Sequence, residues 1–319
     1  MIQYDDKVWF SFLFNLRAGQ LRRQLPNMGF IALFTAAICY LDLTLALYKL
    51  EMPLTVHTLL GVVLGLVLVF RTNTAYERWW EGRRLFGTLV NASRSLALKS
   101  DAFLDPNAFE ERHKLASLIC AFARSVPSHL RSEISESALE SFDEAQRRDL
   151  SASPHLPLAI AKLLGREMHS LRSNDKLSAE QFLTLSQNYD ELINAIGGME
   201  RIKKTPIPFS YSMLIKRFIA AYLFTLPFGL VHDFGWASVI IVPFVFYVMV
   251  GIEMIAEIIE NPFGKDEDDL PTDDIAENIV RNVKDLLNAA YGDPVRETIE
   301  GKELEALAPP SPTPTTFST

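Results

Sequence analysis

The residues best suited to chemistry in this chain are four consecutive acids near its C-terminal end: Asp266, Glu267, Asp268 and Asp269. Carboxylate oxygens are the ligands that hard cations such as Ca²⁺ prefer. However, Lys265 places a positive charge beside them, and Pro271 ends the acidic run early. The pattern therefore favours a helix-capping and subunit-contact role, with calcium binding as the alternative. No cofactor is expected.

A second set of ionisable residues consists of three glutamates at helical spacing: Glu253, Glu257 and Glu260. They follow an apolar stretch, and charged groups at such a position usually face protein or water. Their candidate partners are the arginines Arg71, Arg78 and Arg83. Since an unpaired buried charge is costly, ion pairing is favoured over a proton or cation site. For Asp42 and His57, simple hydration near the outer surface is the favoured interpretation.

Enzyme signatures are missing from the sequence. There is no HExxH or GxSxG pattern and no pair of ExxH motifs, and the six histidines are scattered. The two cysteines, Cys39 and Cys120, lack metal-ligand spacing and lie where thiols stay reduced. The pattern is therefore not that of an enzyme, although a membrane enzyme with its site between helices remains an alternative.

The apolar residues are concentrated in four windows, at 28–48, 54–70, 218–231 and 236–252. Each approaches the roughly 17–25 residues that cross a bilayer, although the third is short. Within hydrocarbon, backbone hydrogen bonds must be satisfied inside each segment, so all four windows are predicted to be helices. Pro227 and Pro243 predict bends in the last two.

Basic residues cluster before the first window, after the second and before the third, whereas the connections between the paired windows carry almost none. Short flanks rich in Lys and Arg stay on the cytoplasmic side. We therefore expect a multi-pass protein of the inner (plasma) membrane with both termini in the cytoplasm. The N-terminal 20 residues lack the pattern of a cleavable signal peptide, so the first span is its own insertion signal.

The second window carries a stripe that recurs every fourth residue: Val62, Leu66 and Phe70. Beside it, Gly61 and Gly65 form a small-xxx-small strip that lets helices approach closely. An ordinary lipid-facing or core stripe explains this pattern. Alternatively, several copies of the helix surround an axis, with glycines at the contacts and apolar side chains inward. Such a ring can gate ions because a narrow apolar constriction empties of water.

The pattern between the spans is helical almost throughout. Breaks are predicted at 105–107, at 151–157 and at Gly197-Gly198, and an extended turn at 205–208. The predicted organisation is a cytoplasmic N-terminal segment 1–27, a membrane helix pair 28–70, a cytoplasmic helical domain 71–215, a second membrane helix pair 216–256, an acidic segment with a C-terminal helix 257–303, and a disordered tail 304–319.

Three segments resemble the signatures of the bestrophin family in its prokaryotic branch: FRTNTAYERWWEGRRLFGTLVNASR, TPIPFSYSMLIKRF and ENPFGKDEDDLP. They occur in the family's order. The resemblance implies an all-α membrane protein with four transmembrane helices and a large helical cytoplasmic region, assembled as a homopentamer around one central pore. The family's narrow apolar neck, usually built of Ile and Phe, matches Val62, Leu66 and Phe70 here. Two of these residues differ from the family but stay apolar.

The resemblance also implies a channel for monovalent ions, with the lipid bilayer and its own copies as partners and no nucleic acid. Animal relatives hold calcium in the segment that matches 266–269, but that role is not carried over. The family is known for chloride and other anions, while bacterial members can favour monovalent cations such as Na⁺ and K⁺. The net charge of −8 leans toward cations. A membrane-anchored scaffold remains a further alternative. A second constriction is left open among Leu177, Phe182 and Leu185.

Overall fold

A computed structural model describes residues 19–44 and 53–288, with the side chains of 24–44 and 53–287. Every regular element in this part of the chain is helical. The α-helices are α1 (Gly19–Cys39), α2 (Leu54–Phe103), α3 (Phe109–Arg131), α4 (Glu136–Leu139), α5 (Glu144–Ser151), α6 (Leu156–Ser173), α7 (Ala179–Lys204), α8 (Phe209–Phe234), α9 (Ser238–Glu260) and α10 (Thr272–Asn288). A π-helical turn, Tyr40–Thr44, extends α1, and a 3₁₀ turn, Gly235–Ala237, separates α8 from α9.

Three stretches are long and apolar enough to cross a membrane: Gln24–Thr44, Leu54–Phe103 and Phe209–Glu260. The third, of 52 residues, contains both α8 and α9. The chain turns between them at Gly235, whose φ of +53° favours a residue without a side chain. Lys216 near the start of α8 lies 3.0 Å from Glu257 near the end of α9, so the two helices form an antiparallel hairpin.

The described chain divides into two compact units. The first contains the described residues of 1–87 and 195–272. Its apolar core joins α1, the first part of α2, α8 and α9 through Ile31, Leu64, Leu68, Ile215, Ile219, Leu223, Leu226, Leu230, Val242 and Phe246. The prediction that all these apolar windows are helical is confirmed.

The second unit contains the described residues of 88–194 and 273–288. Within it, α3 packs against α6 and α4, and α10 lies beside α3. The Arg124 guanidinium on α3 donates hydrogen bonds of 2.7 and 3.1 Å to the two carboxylate oxygens of Glu277 on α10. The C-terminal helix is thus attached by a bidentate ion pair, the geometry that suits arginine best.

Most of the predicted helix breaks are confirmed. Helix α2 ends at Phe103, before the Asp105 break, α5 ends at Ser151, and the chain leaves the helix at 205–208. The prediction of a break at Gly197-Gly198 was wrong, because both glycines lie inside α7. A Cβ on Gly198 would approach a methyl carbon of Leu85 to 2.8 Å. This glycine therefore allows close helix packing and does not end the helix.

Helix α1 begins at Gly19, earlier than the first apolar window, and continues through Pro26. The predicted tail at 304–319 lies outside the described residues, as do most of segment 1–27 and the last residues of segment 257–303.

Candidate functional site

The first five turns of α2 have one buried face and one exposed face. Leu64, Leu68 and Arg71 are 0, 3 and 1% exposed and lie against the first unit's other helices. On the opposite side of the helix, the predicted stripe residues Val62, Leu66 and Phe70 are 68, 56 and 57% exposed. The stripe therefore belongs to no core within the described chain, and a large apolar face of this kind marks a surface for lipid or for another copy.

The exposed face carries polar residues beyond Phe70. At 100° per residue, Asn73 and Glu77 lie within about 40° of Leu66 around the helix axis, and both are exposed. The same face thus changes from apolar to polar to acidic along one helix. Glu77 was not singled out by the sequence patterns because it lies among arginines.

The two glycines of the small-residue strip have different surroundings. A Cβ on Gly61 would lie 3.0 Å from the hydroxyl oxygen of Tyr222 in α8, so Gly61 serves a contact within the chain. A Cβ on Gly65 would meet nothing within 4 Å. Gly65 is therefore the member of the pair that leaves room beside α2.

Arg71 is at the centre of a buried ion cluster at the end of the apolar segment. Its Nη2 donates a 2.7 Å hydrogen bond to Glu260 Oε2, and its Nε lies 3.5 Å from Glu253 Oε2. Glu257 pairs with Lys216 instead. The prediction that the glutamate row pairs with cations is confirmed, with Arg71 as the main partner. Arg71 and Glu253 are 1 and 4% exposed, so the pair is shielded from water.

Arg78 connects three segments through backbone carbonyls. Its guanidinium donates hydrogen bonds of 3.0, 2.7 and 2.6 Å to the carbonyl oxygens of Glu260, Ile202 and Thr205. These carbonyls lie at or near the ends of α9 and α7, where helices leave acceptors without an internal partner. Arg78 therefore positions both helix ends on α2.

The NPFG segment is anchored on α2 by packing. Phe263 is 1% exposed, and its ring centroid lies 6.0 Å from that of Phe86. A Cβ on Gly82 would approach Phe263 to 3.0 Å and Pro262 to 3.1 Å. Gly82 therefore makes room for the NPFG turn, which accounts for a glycine in the arginine-rich stretch.

The four acids that follow do not converge. Asp266, Glu267 and Asp268 are exposed, whereas Asp269 is 2% exposed. Within the part of the chain that the structure describes, no three of their carboxylates have oxygens within 4.8 Å of one another. Asp269 instead closes the loop, because its Oδ2 accepts a 2.7 Å hydrogen bond from the backbone N–H of Asp266.

Asp269 is confined by its neighbours. A Cβ on Gly264 would lie 2.5 Å from Asp269 Oδ2, so a larger residue at that position would displace the Asp269 carboxylate. Burial raises the pKa of the Asp269 carboxyl to about 6, since the charged form loses its hydration. The hydrogen bond from Asp266 opposes this shift, and the nearby Asp266 and Asp268 charges add to it.

This raised pKa predicts a pH dependence of stability. Because the folded-state pKa lies above the unfolded value of 3.8, protonated Asp269 stabilises the fold below that value, and the contribution is lost as pH rises through about 6. We expect the melting temperature of the wild type, relative to that of Asp269→Asn, to fall by about 2–4 °C between pH 4 and pH 7. A difference between the two melting temperatures that stays constant across this pH range would contradict the assignment.

Two other sequence interpretations change. His57 is 2% exposed, and its Nε2 lies 3.2 Å from the Thr225 hydroxyl on α8, so hydration at the surface was the wrong interpretation. Of the three residues left open for a second constriction, Leu177 and Leu185 are 2 and 0% exposed within the second unit, whereas Phe182 is only partly buried. Both cysteines are buried and free. Burial raises the pKa of the Cys120 thiol to about 11, which leaves it unreactive.

Together, three long apolar helical stretches, a buried ion cluster at the end of one of them and an unpaired apolar helix face define a helical membrane protein. Residues 1–285 match the family model for bacterial and fungal bestrophin proteins, and the chain belongs to that family. The resemblance seen in the sequence is thus confirmed.

The chain is similar to two proteins named voltage-dependent anion channel-forming proteins. The one from Synechocystis sp. is 37% identical over 244 residues, covering 75% of this chain and 80% of that protein. The one from Nostoc sp. is 35% identical over 289 residues, covering 88% of this chain and 92% of that protein. The chain is also similar to the crystal structure of a bacterial bestrophin homologue from Klebsiella pneumoniae. The match covers 83% of this chain and 98% of the homologue's chain, with 28% sequence identity and a TM-score of 0.77. These similarities point to a channel and not to an enzyme.

Proposed function

We propose that this chain assembles as a homopentamer around a central ion pore whose neck is lined by Val62, Leu66 and Phe70. The observation that carries the proposal is the division of α2 into a buried face and an exposed apolar face. Five such faces around one axis form a constriction without hydrogen-bonding groups. A narrow constriction of this kind excludes water and blocks ions until it widens.

The proposed topology has four membrane spans per subunit, with α8 and α9 as the last two. The antiparallel hairpin at Gly235 supports two crossings within the 52-residue stretch. Basic residues such as Arg71, Lys216 and Arg217 mark the end of the spans that faces the cytoplasm of the inner membrane. Both chain termini lie on that side.

The proposed permeant ions are monovalent anions, which follows from the names of the two cyanobacterial relatives. A cation channel of the same architecture is the second candidate, and one feature favours it. Glu77 is exposed on the neck face, two turns beyond Phe70, so five copies would place a ring of carboxylates next to the constriction. Rings of acidic side chains attract cations.

A reversal-potential measurement tests both candidates. Purified protein in planar bilayers between 150 and 15 mM KCl is expected to reverse near the Cl⁻ equilibrium potential, whereas reversal near the K⁺ potential would establish the cation channel. If the wild type reverses near the K⁺ potential, Glu77→Gln is expected to shift the reversal potential toward the Cl⁻ equilibrium potential, with Glu144→Gln, exposed in the second unit, as the matched control. A preparation that conducts no current would contradict the channel.

Two further arms of this experiment test assembly and cofactor use. Native mass measurement is expected to give five subunits, and a monomer or dimer would refute the ring. Because the four acids of 266–269 do not converge, conduction is expected to persist in a calcium chelator. Loss of current on chelation, reversed by Ca²⁺, would contradict this expectation and show that conduction depends on the ion.

A further inference from the structure

A cavity of about 410 Å³ lies among α1, α8 and α9 within the first unit. Its size falls within the roughly 300–1,000 Å³ of ligand pockets. Most of its wall is apolar and comes from Phe30, Ile31, Ile219, Ala220, Leu223, Phe224, Phe246, Val250 and Met254. Since all three helices are apolar enough to cross a membrane, this cavity lies where acyl chains surround the protein.

One end of the cavity is charged. Lys216, Glu253 and Glu257 line it together, so one cation and two carboxylates meet at the end of an apolar cleft. Lys216 and Glu257 are exposed and pair at 3.0 Å. A ligand for this cavity must therefore combine an apolar body with a head that carries both charges.

Glu253 supplies an independent sign of a missing partner. It is 4% exposed, and neither carboxylate oxygen has a hydrogen-bond donor among the described residues. Its nearest cation, Arg71, is 3.5 Å away, and the short hydrogen bond of Arg71 goes to Glu260. A buried carboxylate without donors is costly, and a group that donates to it from within the cavity would remove much of that cost.

We propose that this cavity binds a phospholipid with a primary-amine headgroup, of the phosphatidylethanolamine type. An acyl chain occupies the apolar cleft, the ammonium donates hydrogen bonds to Glu253 and Glu257, and the phosphate accepts from Lys216. A quaternary choline head has no N–H to donate, and a glycerol head has no positive charge. The arrangement of one cation and two carboxylates thus selects ethanolamine over both.

Native mass spectrometry of the delipidated, intact protein tests the headgroup preference. With phosphatidylethanolamine, phosphatidylcholine and phosphatidylglycerol of identical chains, the wild type is expected to retain the ethanolamine lipid about tenfold better, the factor that one or two hydrogen bonds to charged groups supply. Glu253→Gln is expected to reduce this preference to near unity. Equal retention of the three lipids by the wild type would overturn the proposal.

A pair of neighbouring alanines tests the cavity itself and does not disturb the ion cluster. Ala220 is exposed and lines the cavity, while Ala221 is exposed and does not. Ala220→Phe is expected to abolish retention of the lipid, and Ala221→Phe to leave it unchanged. Equal retention by the two variants would place the lipid elsewhere on the protein and refute the site.

Two other occupants would also overturn the proposal. If the wild type holds no lipid but a variant lacking residues 1–18 does, the N-terminal segment fills the cavity. If the wild type holds no lipid and Ala220→Phe dissociates the assembly, a neighbouring copy fills it. The lipid assignment requires that neither result is seen.

Discussion

Replacing Leu66 or Phe70 with alanine is expected to raise the ion conductance of the purified protein several-fold. Both side chains lie on the exposed face of α2, where they make no contribution to the chain's own core. Five shortened side chains would widen the proposed constriction and let water enter it, which removes the barrier that an apolar neck presents to ions. Single-channel recording in symmetric salt measures the effect directly.

Leu68→Ala is the matched control, because it makes the same change two residues beyond Leu66 on the buried face. It is expected to lower the stability by about 2–5 kcal/mol through the cavity it leaves, without raising the conductance of assembled channels. If Leu68→Ala raised the conductance as much as Leu66→Ala does, the exposed face would not line the pore.

Replacing Arg71 with methionine is expected to have the largest effect on stability, about 3–5 kcal/mol. The guanidinium is 1% exposed and neutralises the carboxylates of Glu253 and Glu260. Methionine fills a similar volume, so the loss comes mainly from the buried Glu253 and partly buried Glu260 carboxylates, which no longer have their cation. Thermal unfolding in detergent is expected to show an apparent melting temperature lower by roughly 10 °C.

The control for Arg71 is an arginine with an exposed partner. Arg148 lies 3.9 Å from Glu144, and both side chains are largely exposed, so water already screens the pair. Arg148→Met is expected to leave the melting temperature almost unchanged. In addition, the triple change Arg71→Met, Glu253→Gln and Glu260→Gln is expected to recover part of the loss, because no buried carboxylate would remain. No recovery would mean that Arg71 acts through packing.

Some features of the candidate site could be predicted from the sequence because they depend on helical period alone. Val62, Leu66 and Phe70 share a face in any α-helix, and their exposure agrees with a stripe that faces away from the chain's own core. The pairing of Glu260 with Arg71 was predictable in kind, since charges beside an apolar span need partners, although the particular partners were not.

Glycines and isolated polar residues were less predictable, because their roles depend on what packs against them. Two consecutive glycines, Gly197 and Gly198, predict a helix break. In the structure, however, Gly198 lies inside a continuous helix and makes room for the Leu85 side chain. His57 lies near the end of an apolar window, where the sequence predicts a hydrated side chain, yet it contacts Thr225, which is 168 positions away. The local sequence does not show which residues from distant parts of the chain pack against a given position.

The sequence alone determined the helical class, the apolar windows, the apolar stripe on α2 and the family, because these depend on local composition, local period and short motifs. Only the tertiary structure decided which acid of 266–269 is buried and what packs against Gly82 and Gly264. It also decided that Glu253 lines a cavity and has no hydrogen-bond donor among the described residues. The physical reason is that burial and pairing are set by contacts between residues far apart in the chain, which no local pattern encodes.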